Sequence, residues 1–386
     1  MLQEAQQRTD ALRATMSEMG IGCAVFTEES SIAYLAGFWG YLGIEFGRPT
    51  MLVVYADRDP VVITPLMESE MVSAMTWVKD VQVWEDFGPN SWARALSAAL
   101  KPHGSSAVWV EKLALPGIVR NFFDTEMPQT TLSNISPILG ELRMIKSPLE
   151  IKVMKQAGQI AGAMMEAAHN SLKEGAPEYE SAIDVIAAGS RAAAGFLTNT
   201  GWERFVSPMI HNLQILQSGA DASMVHRRAS VKPYERFDPV YFCFCNLAQF
   251  KQYKLGFDRM FHIGDVRDED RDVQQAAIDA QAAAIAAIKP GVLAQDVAAA
   301  ANAVYQERGY QTGYRTGRSI GTAYLEAPEL KAGDMTVLQA GMTFAVDGGI
   351  SVDGKTAGRI GDSIVVTETG FDYITNYPRE ILLSRA

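Results

Sequence analysis

The run MIKSPLE, Met144 to Glu150, constrains the fold of this sequence more than any other stretch. Ser147 can cap a helix, Pro148 suits a first helical turn, where its missing N–H costs nothing, and Glu150 completes a capping box. A long helix therefore starts there and runs through IKVMKQAGQIAGAMMEAAHNSL. A chain of 386 residues is too long for one typical core, and this signal predicts two domains, 1–142 and 143–386.

Each half has its own rhythm. From Gly22 to about Ser136, short apolar runs (CAVFTE, MLVVYA, PVVITP, VQVWED, SAVWVE) alternate with helical segments such as SWARALSAALK, which predicts an α/β layer. The second half predicts helices over 148–172, 178–195, 269–288 and 294–309. Its strand-like runs PVYFCFCNL, KLGFDRMFHI, MTFAVDGGI and SIVVTET are joined by Gly and Asp turns. That pattern predicts antiparallel hairpins packed under helices, an α+β catalytic domain.

With 48% hydrophobic residues there is ample material for both cores, and a net charge of -11 argues against nucleic acid and anionic membrane surfaces as partners. Cys23, Cys243 and Cys245 make a poor disulfide framework, so a reducing cytoplasm is the expected location. The N-terminal MLQEAQQRTDALRATMSEMG reads as an amphipathic helix rather than a signal peptide. VQQAAIDAQAAAIAAIK is mostly alanine and is broken by Asp279, so no membrane span is expected. Neither GxGxxG nor HExxH occurs, and the CxC pair and scattered histidines give no closed zinc site.

What remains is a set of isolated polar residues. His226 closes SGADASMVH, a run with neither helical nor strand periodicity, and reads either as a general acid/base or as a satisfied loop histidine. Asp258, beside Arg259 in KLGFDRMF, reads as a buried anion or, from spacing, as half of a local ion pair. Asp347, in FAVDGG, ends an apolar run before two glycines and reads equally as a turn residue. Arg48 in EFGRPTMLVV could clamp a carboxylate or stand solvated at a strand edge, and Arg318 in RTGRSIGTAY could meet a ligand or be a surface charge in a turn. His211 and His262 adjoin apolar runs and read as structural.

In the order MIKSPLE, SGADASMVH, FDRMF, RTGRSIG, LQAGMTFAVDGG and GRIGDSIVVTE, the chain resembles the creatinase/prolidase ("pita-bread") family over nearly its whole length. The resemblance implies a creatinase-like N-terminal α/β domain followed by a pita-bread catalytic domain. Metallopeptidases of that family hold two metals on two Asp, one His and two Glu. The matching positions here are Cys243, Gly256, Arg318, Asp347 and Gly361, of which only Asp347 is a natural hard-metal ligand. No metal or other cofactor is therefore expected.

The metal-free hydrolases are the better match, creatinase first and ectoine hydrolase second. The resemblance makes His226 the acid/base and places Asp258 and Asp347 where two glutamates hold a guanidinium. It gives Phe46, Gly47, Arg48 and Pro49 as the FGRP motif, whose arginine reaches substrate in the neighbouring subunit of a homodimer. Arg318 could supply a carboxylate-binding cation from another direction. Tyr324 matches a tyrosine position in ectoine hydrolase, and Glu326 aligns with an acid of the peptidases. The expected activity is metal-independent hydrolysis of a carbon–nitrogen bond in a small zwitterionic guanidine or amidine. The alternatives are an ectoine-type cyclic amidine hydrolase, a lyase on a small zwitterion and an inactive binding protein of the same fold.

Overall fold

The helix expected after Ser147 spans Pro148–Ser171 and is closed at its start by the capping box, with Glu150 N donating to Ser147 Oγ at 3.1 Å and Ser147 N to Glu150 Oε2 at 2.9 Å. In a computed structural model of the chain, the residues described are all except 41, 87–89, 104–105, 211–214, 246, 312, 314 and 386, and the side chains of 44, 45 and 103 are also left undescribed. His211 lies outside the described residues. Met1–Arg143 and Met144–Ala386 form two compact units.

The first unit is built on a six-stranded sheet in the order Asp80–Trp84, Val61–Pro65, Met51–Tyr55, Cys23–Phe26, Ala107–Val110, Thr131–Asn134. Its pairings are mixed: Cys23–Phe26 runs antiparallel to Met51–Tyr55 and parallel to Ala107–Val110. The central strands are buried on both faces, so they read as unbroken apolar runs. The α/β expectation holds.

Among the described residues the second unit carries a nine-stranded sheet and a separate two-stranded pair, Gln249–Phe250 with Tyr253–Lys254. The main path of the larger sheet is Glu326–Leu330, Gly317–Ser319, Thr343–Val352, Thr356–Val366, Asp258–His262, Pro239–Cys243 and Ile215–Ser218, antiparallel throughout. Helices Pro148–Ser171, Glu178–Leu197, Asp268–Ala287 and Ala294–Glu307 accompany it. The α+β expectation also holds.

One helix lies unusually close to the sheet. Helix Asp268–Ala287 presents Ala276, Ala280 and Ala284, all fully buried, to a core that includes Phe344, Val346 and Ile364. A Cβ at Gly348 would strike the Ala277 carbonyl, and one at Gly358 the Val273 carbonyl. The glycines after Asp347 therefore do not mark a turn. The strand continues through them to Val352, and their bare backbone is the seat of the helix. Side-chain amides fix this contact: Gln281 Nε2 donates to Val346 O at 3.0 Å, and Gln274 bonds Arg359 N and O at 2.8 and 3.0 Å.

Buried polar groups tie the strands together. The Arg259 side chain is 1% exposed; it pairs with Asp362 at 2.9 Å and donates to the carbonyls of Asp258 and Gly361 at 2.7 and 2.8 Å. The expected Asp258–Arg259 ion pair does not form, because successive strand residues point to opposite faces of the sheet.

His262 is fully buried and both its ring nitrogens lack a partner. Burial pushes its pKa down from 6.5 to about 4. Between those values the unfolded chain binds the proton and the folded chain does not. Its contribution is therefore present above pH 6.5 and lost as pH falls through about 4, roughly 3 kcal/mol at most. Denaturant titrations at pH 7 and pH 4 should show the parent losing that much more stability than His262→Leu. Equal losses would refute the assignment.

Candidate functional site

Strand register builds the site. Cys243 stands opposite Asp258, Asp258 opposite Gly361, and Gly361 opposite Asp347, giving one row across four neighbouring strands. Directly opposed residues project from the same face. A Cβ at Gly361 would meet Asp258 Oδ2 and, at 2.9 Å, Asp347 Oδ1, so the two carboxyls converge over the bare glycine. On the neighbouring strand Gly317–Ser319, the Arg318 guanidinium turns back to Asp347, donating to Oδ2 through Nη1. It also bonds the Tyr324 hydroxyl, with its charge 4.4 Å from the centre of that ring, and lies 3.4 Å from Cys245 Sγ.

Arg318 is therefore a strand residue, 3% exposed, and not a surface charge in a turn. Burial disfavours its charge, but Asp347 and Cys245 beside it hold its pKa above the ordinary arginine value. Asp258 behaves oppositely. Burial first, then the nearby Asp347 and Cys245, push its carboxyl well above the usual range and toward the neutral form. Asp258 Oδ1 and Asp347 Oδ1 are both buried without a hydrogen-bond partner.

A cavity of about 690 Å³ opens over this row and is lined by His226, Asp258, Arg318, Tyr324 and Asp347. The structure thus brings together the five second-unit residues expected from sequence. The other two, Phe46 and Arg48, belong to the first unit. Phe46 is exposed, and Arg48 pairs with Asp86 beside a shallow hollow lined by Leu66, Met67 and Trp84. Glu326, by contrast, is spent on a buried ion pair with Lys146 at 2.7 Å.

The segment that carries His226 is not the featureless loop its composition suggests. Ser218 ends a buried strand, Gly219–Ser223 forms a 3₁₀ turn, and His226 follows in a turn at the cavity edge. The anchor is Glu178, buried at the start of its helix. It accepts from Ser218 Oγ at 2.7 Å, Arg227 Nη1 at 2.9 Å, and Ser230 N and Oγ at 2.9 and 2.7 Å. Burial opposes its charge, but the Arg227, Ser230 and Ser218 bonds outweigh it and hold the carboxyl below its usual range. Gln217 Nε2 fastens the turn from within by donating to Met224 O at 2.6 Å. Sequence reasoning passed over both residues, since neither sits in a motif and only the fold makes them neighbours of the loop.

The cavity wall also carries Cys243, Cys245, Arg228, Arg315 and Arg359. Arg315 pairs with Glu329 at 3.1 Å, whereas Arg228 and Arg359 have no carboxylate partner among the described residues. Cys243 donates to Cys245 across 2.7 Å. That bond, aided by Arg318 and opposed by burial, lowers the Cys245 pKa, while burial and Cys245 raise that of Cys243.

Two spacings near the site have other meanings elsewhere, and the structure removes both. Gly349 to Thr356 (GISVDGKT) has P-loop spacing, but it is a β-hairpin with Gly354 at φ +68° and no helix follows to receive a phosphate. Gly317 to Gly321 (GRSIG) has nucleophile-elbow spacing, but Ser319 is fully buried in a strand paired on both sides rather than at a strand-to-helix turn.

Comparison with known proteins adds family context. Residues 152–368 match the model for metallopeptidase family M24, and residues 8–145 match that for the creatinase/prolidase N-terminal domain. The chain is 27% identical to the agropine synthesis cyclase of Rhizobium rhizogenes over 96% of each chain. It is 26% identical to the creatinase of Bacillus sp. (strain B-0618), covering 97% of this chain and 91% of that one. The solved Xaa-Pro dipeptidase from Bacillus anthracis superposes with a TM-score of 0.81 at 24% identity, over 98% and 99% of the two chains.

Removing the Arg318 charge leaves two converging acids without their cation. Arg318→Leu should cost about 2–4 kcal/mol of stability, part of which Asp347→Asn in the same chain restores. Chemical denaturation of the single and double variants reads this directly, and a single variant as stable as the parent would contradict it.

Proposed function

The chain belongs to metallopeptidase family M24 and carries the creatinase/prolidase N-terminal domain, a family of hydrolases, and from that premise we propose that it hydrolyses a non-peptide carbon–nitrogen bond of a small zwitterionic guanidine or amidine by acid/base chemistry. The supporting observation is the pair of buried, unpartnered oxygens, Asp258 Oδ1 and Asp347 Oδ1, in the same cavity as His226. An acceptor buried without a donor costs about 1–3 kcal/mol, and the adjacent N–H groups of a guanidine or amidine are suited to relieve both.

The family's two metals do not fit these residues. Of the matching positions, Gly256 and Gly361 offer no donor, and a Cβ at 361 would run into both aspartates. A fixed guanidinium at Arg318 already neutralises Asp347. Among the described residues, the ligand atoms of Cys243, Cys245 and Asp258 lie within 4.8 Å of one another, but Arg318 Nη2 sits against Cys245 and opposes a cation there.

In the proposed reaction His226 takes a proton from water as the water attacks the carbon between the nitrogens, then returns it to the leaving nitrogen. The two aspartates hold the nitrogen head. Arg228 and Arg359, which have no acid partner among the described residues, receive the substrate carboxylate from within the cavity. Among the described residues Arg48 pairs with Asp86, with both side chains about a third exposed, a pairing worth ~1 kcal/mol or less, so a ligand carboxylate can displace it. The FGRP match supports a homodimer in which that ligand is presented by the second copy.

A second reading follows from the cyclase relative, matched over 96% of both chains. The same base can activate a nucleophile within the substrate instead of water. Turnover in labelled water separates the two, since oxygen from solvent enters the product only by hydrolysis.

Metal-stripped protein incubated with creatine, related guanidino acids and ectoine should turn over at least one of them, and His226→Ala should lower that rate by about 10²–10⁴. Activity lost on chelation and restored by Mn or Zn would overturn the proposal.

A further inference from the structure

We propose that Cys243 and Cys245 form a peroxide-reactive dithiol on the cavity wall, convertible to an intrachain disulfide. Nothing in the proposed reaction uses these thiols, so the inference stands apart from it. The two sulfurs are 2.7 Å apart, with Cys243 donating to Cys245, a fraction of an ångström from bonding distance. Cys243 is the last residue of the strand Pro239–Cys243, and beyond it the chain turns at Cys245, which leaves the second sulfur room to move. Both residues line the cavity, which is wide enough to admit a small oxidant. Arg318 Nη2, 3.4 Å from Cys245 Sγ, stabilises a thiolate at Cys245 and not at its neighbour.

The roles follow from that asymmetry. The Cys245 thiolate attacks hydrogen peroxide; an S–O bond forms, the O–O bond breaks, and hydroxide leaves and is protonated to water. The Cys243 sulfur then gives up its proton and attacks the Cys245 sulfenic acid; the S–S bond forms, the S–O bond breaks, and a second water leaves. Two thiols lose two electrons and one peroxide becomes two waters. The consequence falls on Arg318, which loses a neighbouring anion and keeps Asp347 as its acidic partner among the described residues.

The full-length protein is treated with a slight excess of hydrogen peroxide, denatured, alkylated and digested with trypsin. The thiol count should fall from three to one, and the peptide from Phe237 to Lys251, which holds both cysteines, should carry no alkyl group and be lighter by two hydrogens than its free dithiol form, regaining them with dithiothreitol. Cys243→Ser should stop at a Cys245 sulfenic acid that dimedone traps, whereas Cys245→Ser should leave Cys243 unoxidised at the same dose. Three intact thiols after treatment, oxidation confined to Cys23, or equal trapping of either cysteine in the single variants would overturn the proposal. The mass of the wild-type peptide decides the matter even if a variant fails to fold.

Discussion

The second unit depends on how the sheet accommodates a guanidinium inside it. Arg318 is almost fully buried, and a buried cation without an anion is untenable, so Asp347 must face it. That pairing uses one oxygen of Asp347 and leaves the other beside Asp258 over Gly361. Two carboxyls so close do not both carry charge easily. Burial first, and then this neighbouring carboxyl, push the Asp258 pKa upward, toward its neutral form. The character of the cavity floor is therefore set by three residues on three strands, Arg318, Asp347 and Asp258.

Around that floor, mobility and rigidity are distributed unequally. The His226 ring is exposed and makes no hydrogen bond to another described residue, yet the backbone on either side is pinned, Met224 O by Gln217 and Ser230 N by Glu178. A ring held through its backbone and left free at its edge can turn without rearranging its supports. Glu178 thus shapes the site without lining the cavity.

Much of the architecture was legible in the sequence because local chemistry marks it. The Ser147–Glu150 cap, the apolar strands of the first unit and the four long helices of the second all follow from periodicity and end signals. Strands Ile215–Ser218 and Gly317–Ser319 were missed; each is short and holds polar residues that are satisfied or enclosed only by distant partners. The site was legible as a set of residue types and not as a set of contacts. Spacing favoured Arg259 as the partner of Asp258, whereas alternation sends Arg259 to Asp362; glycines suggested a turn after Asp347, whereas a helix needed the space. The P-loop-like and elbow-like spacings make the same point in reverse, since a pattern has chemistry only on the backbone it requires.

Gly348 and Gly358 bring helix Asp268–Ala287 against the two strands that carry Asp347 and Gly361, and Gln274 and Gln281 measure that approach from the helix side. A wall residue such as Arg228 can be exchanged without disturbing the strands behind it. The seat beneath them cannot, because a single added methyl there lifts the whole helix. The rim is thus free to vary while the spacing between the two acids stays fixed from behind.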